Sequence, residues 1–138
     1  MSDETANVAV LKDAYRRWHD SRGGSVDHWM SICDENIKFG SLAQGTTGVE
    51  YLTAYSARDE LKKYFNGLLR DWEMIEYRPD EFVAQGDRVV MIGHCSWRAK
   101  TSGKVVSTPK ADVWRFANGK AVEFYEFFDT AQVVAAMS

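Results

Sequence analysis

From Thr5 to Ser21 the apolar residues Val8, Leu11, Tyr15 and Trp18 recur three or four apart, and Lys12, Asp13, Arg16 and Arg17 fill the other side. That period predicts an amphipathic helix. It stops at Arg22-Gly23-Gly24, after which Ser25 is placed to cap a short second helix carrying Val26, Trp29, Met30 and Ile32. Ile37, Phe39 and Ser41 then alternate with Asn36, Lys38 and Gly40, the mark of a short strand. The loop from Gln44 to Tyr55 is unusually apolar, with Val49, Tyr51, Leu52 and Tyr55 available to cover something. It reads either as a lid or as a surface loop packing its own aromatics. Ser56 is placed to cap a third helix over 57–71, whose Leu61, Tyr64, Phe65, Leu68 and Trp72 recur at helical spacing.

After Trp72 the period changes to two. Glu73 to Gln85 reads as a strand interrupted at Pro79-Asp80, where a missing N–H donor calls for a bulge or an edge position. Gly86-Asp87 turns the chain into a strand over 88–100, with Met91, Gly93, Cys95, Trp97 and Ala99 on one face. A turn at Ser102-Gly103 leads to a strand over 105–117, and Asn118-Gly119, a strong hairpin signal, leads to the last one over 120–128. Asp129-Thr130 is placed to cap a terminal helix ending near Met137. The fold class is α+β, with helices laid across one side of a mostly antiparallel curved sheet in a single domain over 1–138.

Polarity then picks out one hairpin. Asp112 shares a strand face with Trp114 and Phe116, and Glu126 shares one with Val122, Phe124 and Phe128, so two carboxylates stand where alternation asks for core. A cavity fits that mixture better than a solid core. Lys110, two residues before Asp112, lies on the same face. If its ammonium reaches Asp112 the carboxylate stays charged; if it snorkels to the rim, Asp112 is left to act as a protonated acid.

Composition narrows the chemistry. The 138 residues are 45% hydrophobic with a formal net charge of −3, and acids and bases are interspersed, leaving no basic stripe for nucleic acid. Cys33 and Cys95 are far apart and have no Cys or His at zinc-ligand spacing, which predicts two buried reduced thiols. His19, His28 and His94 form no metal-spaced pair, and His94 falls on the strand face opposite Trp97. No run has the length of a signal peptide or a membrane span, so a cytoplasmic location without membrane partner is expected. Phosphate-binding glycine loops, nucleophile elbows and dinucleotide fingerprints are absent as well. A cofactor-free pocket for a hydrophobic small molecule remains.

The element order, the run Asp112-Val113-Trp114-Arg115-Phe116, the Gly119-Lys120 turn and the Phe127-Phe128-Asp129 close resemble the nuclear transport factor 2-like superfamily. Within it, the likeness is to the ketosteroid isomerase and SnoaL-like polyketide cyclase branches. The resemblance implies a cone: a strongly bent sheet wrapped around N-terminal helices, with an apolar pocket opening at one end. It also implies that Asp112 is the acid or hydrogen-bond donor of an isomerase or cyclase acting on a hydrophobic carbonyl compound, with Tyr15 assisting. Trp18, Phe39, Phe65, Trp97 and Lys110 are candidate substrate contacts, as are Trp114, Phe124, Glu126 and Phe128. Where ketosteroid isomerases place their general-base aspartate, this chain has Gly40, Ser41 and Leu42, none able to shuttle a proton between carbons, which argues against ordinary steroid isomerisation. A non-catalytic ligand-binding module or a dimeric scaffold of the same fold is the alternative. Because superfamily members pair through the outer sheet face, where Val90, Ile92 and Val113 lie, a homodimer is expected there; light scattering that shows only monomer at micromolar concentration would refute it.

Overall fold

The computed structural model describes residues 3–138. Helix α1 (Asp3–Asp20) is followed by α2 (Val26–Ile32), strand β1 (Cys33–Ser41), helix α3 (Leu61–Asp71) and four strands: β2 (Trp72–Gln85), β3 (Arg88–Ala99), β4 (Val105–Ala117) and β5 (Lys120–Phe128). Helix α4 (Thr130–Ala136) closes the chain. The strands form one sheet in the order β1-β5-β4-β3-β2. All pairs are antiparallel except β1 with β5, which run parallel. The curled sheet holds its aromatic inner face against α1, α2 and α3, as the hydrophobic period predicts.

Local chemistry explains the strand boundaries. Asn118 and Gly119 both adopt positive φ, 52° and 79°, which gives the two-residue turn a twist matching that of the flanking strands. Strand β2 is an edge strand and its pairing shifts register at Pro79, so both ways of accommodating a residue without an N–H are used. Gly93 lies opposite Pro79, and a Cβ there would stand 2.1 Å from the Arg78 carbonyl oxygen. The bulge therefore requires glycine on its neighbour. Asp129 caps α4, its Oδ1 accepting from the Gln132 N–H at 3.1 Å.

Three expectations need correction. The third helix begins at Leu61, after a single 3₁₀ turn over Arg58–Glu60, and Ser56 does not cap it with its side chain. Instead the Glu60 carboxylate accepts from the Ser56 backbone N–H at 3.0 Å, which turns the chain before the helix starts. Ser25 stands at the start of α2, yet its hydroxyl makes no capping bond. Finally, a bulge at Arg115/Phe116 pairs Phe116 with Ala121, so Ala121 takes the buried place and Val122 is only half-buried.

The outer sheet face carries exposed Ile92, Val105, Tyr125 and Phe127 between polar groups. His94 is there, paired with Asp80 at 2.8 Å. Cys33 and Cys95 are buried free thiols, with burial pushing their pKa up to about 12 and about 11. Among the described residues, no helix is long and apolar enough to cross a membrane, and no three His, Cys, Asp or Glu side chains gather to hold a metal ion.

Candidate functional site

Asp112 on β4 and Glu126 on β5 pair directly across the two strands, so their side chains emerge together on the inner face. Both are buried, at 1% and 2% exposure. The lysine between them decides the electrostatics. Lys110 Nζ lies 2.7 Å from Asp112 Oδ1 and 3.1 Å from Glu126 Oε1. The ammonium therefore takes the inward of its two courses and bridges both acids.

Hydroxyls complete the arrangement. Tyr15, on the buried stripe of α1 with Leu11, Ala14 and Trp18, donates to Asp112 Oδ2 at 2.6 Å. Tyr77 of β2 donates to the same oxygen at 3.1 Å. The Trp114 indole N–H donates to the Tyr15 hydroxyl at 2.9 Å, which fixes that hydroxyl's direction. On the other acid, Tyr64 of α3 donates to Glu126 Oε1 at 2.9 Å. Both oxygens of Asp112 are thus occupied by donors, whereas no protein donor among the described residues reaches Glu126 Oε2.

Burial shapes the titration of the partners. Burial raises all three hydroxyls well above the ordinary tyrosine value, and the adjacent negative charge raises them further, Asp112 for Tyr15 and Tyr77 and Glu126 for Tyr64. For Lys110, burial works against the charged form, but the carboxylates of Asp112 and Glu126 outweigh it and hold the ammonium well above the ordinary lysine value. Lys110 stays protonated at any neutral pH.

These groups line a cavity of about 90 Å³ inside the cone. That is room for several water molecules. The expected contacts Trp18, Phe39, Phe65, Trp97, Trp114, Phe124 and Phe128 all line it, as do Tyr15, Lys110, Asp112 and Glu126. The walls are stiff: Trp29 stacks on Trp114 at 5.5 Å and 7°, and Phe39 on Phe124 at 4.3 Å and 24°. Leu52, from the apolar loop, also lines the cavity, and that loop is tied down by mutual backbone hydrogen bonds between Phe39 and Tyr55.

The geometry departs from one expectation. Asp112 accepts three hydrogen bonds and is arranged as an acceptor, not as the donor that the resemblance implies. Sequence reasoning also missed two contributors. Tyr64 is visible in the stripe of α3 but reads there as core, since only the tertiary fold brings it to Glu126. Tyr77 is out of phase with Trp72 and Met74 by simple alternation, and a register shift between Met74 and Glu76 turns it inward.

The sequence over residues 11–124 matches the model of the SnoaL-like domain. The chain belongs to that family. Solved structures agree on the fold. An NTF2-like protein of unknown function from Burkholderia pseudomallei K96243 is 22% identical, with a TM-score of 0.83 and coverage of 100% of this SnoaL-like chain and 99% of the other. An NTF2-like protein from Burkholderia thailandensis E264 is 25% identical, with a TM-score of 0.81 over 96% and 97% of the two chains. TerC, co-crystallised with polyporic acid, is 18% identical, with a TM-score of 0.79 over 96% and 98%. Comparison with curated proteins found no match. The SnoaL-like family includes polyketide cyclases and isomerases, which is as far as membership carries the function.

Proposed function

We propose that this protein is an acid/base enzyme of the isomerase or cyclase kind acting on a small hydrophobic carbonyl compound, with Glu126 rather than Asp112 as the proton acceptor. One observation carries the reading: Glu126 is a buried carboxylate lining an aromatic-walled cavity, and its Oε2 has no protein donor among the described residues. Such an oxygen is free to take a proton, while Oε1 is held in place by Lys110 and Tyr64. Asp112 orients Lys110 and does not touch the reacting proton. That TerC shares the fold and was co-crystallised with polyporic acid supports a small-molecule cavity.

The reaction follows from these parts. Glu126 Oε2 removes a proton from the carbon beside the carbonyl, and the C–H electron pair forms the enolate double bond as the carbonyl electrons move onto oxygen. Lys110, with one N–H beyond the two given to the carboxylates, balances the charge that develops. In a β,γ-unsaturated substrate the enolate extends to a dienolate, and returning the proton to its γ-carbon completes an isomerisation. If the enolate carbon instead attacks a second carbonyl of the same molecule, the new alkoxide takes the proton and a ring closes.

The test is deuterium exchange at the α-carbon of 2-tetralone in D₂O, followed by NMR. The wild-type protein is expected to accelerate exchange over buffer, and Glu126→Gln to lose about 100-fold or more of that acceleration. Exchange by Glu126→Gln at the wild-type rate would remove Glu126 from the mechanism. Binding of tetralone without exchange would leave a ligand-binding module.

A further inference from the structure

Tyr77 is turned inward by a fault in its strand, and its backbone there is bound to an imidazole. The register shift between Met74 and Glu76 brings the Tyr77 ring to the inner face, where its hydroxyl donates to Asp112 Oδ2 at 3.1 Å. The same ring stacks on Tyr15 at 5.7 Å and lies 5.4 Å from Lys110 Nζ. A bulge of this kind re-aims a side chain while disturbing the ladder around it. Strand β2 is also the edge of the sheet, and the Tyr77 N–H finds its acceptor on α1. It donates to His19 Nδ1 at 3.1 Å in a part-buried bond. A ring nitrogen that accepts carries no proton, so His19 is neutral, with its hydrogen on Nε2.

We propose that His19 is a positioning residue: as a neutral imidazole it pins the β2 bulge through the Tyr77 N–H and so keeps the Tyr77 hydroxyl on Asp112, and when protonated it releases both. A proton on Nδ1 replaces the acceptor with a second donor facing the Tyr77 N–H, which removes the bond outright. Nearby charges do not restore it. Among the described residues His28 and His94 have carboxylates beside them, Asp13 at 3.5 Å and Asp80 at 2.8 Å, and His19 has no such partner. The charged side chains next to it on α1 are engaged elsewhere, Arg16 with Asp13 and Asp20, and Arg22 with the His19 carbonyl. On β2, Arg78 holds Glu76 and Asp80. Cys95, opposite Tyr77 on β3, is kept protonated by burial. Protonation of His19 therefore acts on Tyr77 alone, while Asp112 keeps Tyr15 and Lys110. The cluster loosens at one donor and does not collapse. Only the effect on turnover rests on the catalytic reading above.

Heteronuclear NMR of the full chain between about pH 8 and pH 5, the range in which an imidazole gains its proton, tests this. At the upper end the ring nitrogens of His19 should show the Nε2–H tautomer. As the His19 resonances titrate, hydrogen-exchange protection of the Tyr77 amide, corrected for the intrinsic rate, is expected to fall about fivefold or more. The Trp114 indole N–H, joined to Asp112 through the Tyr15 hydroxyl, should shift with the same midpoint. His19→Asn, whose Oδ1 stands near the place of Nδ1 and does not titrate, should hold both signals constant; if that variant does not fold, the wild-type titration decides by itself. Tyr77→Phe keeps the backbone bond and loses the hydroxyl, so the amide response should persist and the indole response disappear. With 2-tetralone as probe, wild-type exchange should slow by about threefold or more through the His19 midpoint, a loss absent from His19→Asn. An Nδ1–H tautomer at about pH 8, a Tyr77 amide or Trp114 indole that ignores His19, or responses that follow His28 or His94 would each overturn the inference. The NMR responses without any exchange of tetralone leave it standing and remove the catalytic proposal alone.

Discussion

Asp112 and Glu126 invite comparison because so little separates them. They face each other across β4 and β5, both are almost wholly buried, and both touch Lys110. Yet Asp112 accepts from Lys110, Tyr15 and Tyr77 through both oxygens, and Glu126 has one oxygen without a donor among the described residues. Side-chain length and neighbours account for the difference. α1 and the bulged β2 deliver two hydroxyls to Asp112, whereas α3 delivers one to Glu126. Burial alone therefore does not identify a reactive carboxylate; the count of donors around each oxygen does. On that count we propose Glu126 as the acid that reacts and Asp112 as the one that positions Lys110.

Substitutions that remove one member at a time sharpen the contrast. Lys110→Met is expected to be the most damaging, at about 3–5 kcal/mol by denaturant unfolding, because two buried carboxylates lose their shared cation. Asp112→Asn comes next, at about 2–3 kcal/mol. An amide there must either turn its NH₂ against the Lys110 ammonium or present it to Tyr15, whose oxygen already accepts from Trp114. Glu126→Gln should stay within about 1 kcal/mol of wild type, since its oxygen keeps Lys110 and Tyr64 and its NH₂ meets no opposing donor. Equal losses for Asp112→Asn and Glu126→Gln would erase the distinction between the two acids.

Much of this architecture is legible in the chain. Period-two alternation gives β3, β4 and β5 nearly to the residue, and it places Asp112, Glu126 and Lys110 on the face with the aromatics. The faults lie where the backbone breaks its period. The bulge at Arg115/Phe116 exchanges Val122 for Ala121, and the shift between Met74 and Glu76 brings in Tyr77, because an inserted residue inverts the phase with no mark in polarity. The direction of Lys110 is illegible for a different reason. A lysine stem is long enough to reach either the rim or the acids, and the choice depends on the second carboxylate, which arrives from another strand. Tyr64 belongs to the same class: its hydroxyl has meaning only beside Glu126.

The smallest expected effect is a pH dependence shared by the whole enclosure. Burial raises Cys33 from about 9.0 to about 12 and Cys95 to about 11, and it raises Tyr15, Tyr64 and Tyr77 well above 10.0. Each of these groups holds its proton more tightly folded than unfolded. Their contribution is therefore fully present below about pH 9, where both states are protonated, and is lost as pH rises, because the unfolded chain ionises first. Lys110 has the same sign, since its folded value also lies above 10.5. Urea midpoints are expected to be level between about pH 7 and 9 and then to fall progressively toward pH 11. Cys33→Ala and Tyr77→Phe each remove one ionising group and should make that fall less steep, whatever they do to the neutral-pH midpoint. Glu126→Gln removes a charge that helps hold the Tyr64 and Lys110 protons, and should make the fall no steeper than in wild type. A midpoint that does not move between pH 9 and 11 would mean that these groups are reached by solvent, and that the enclosure around the two acids is open.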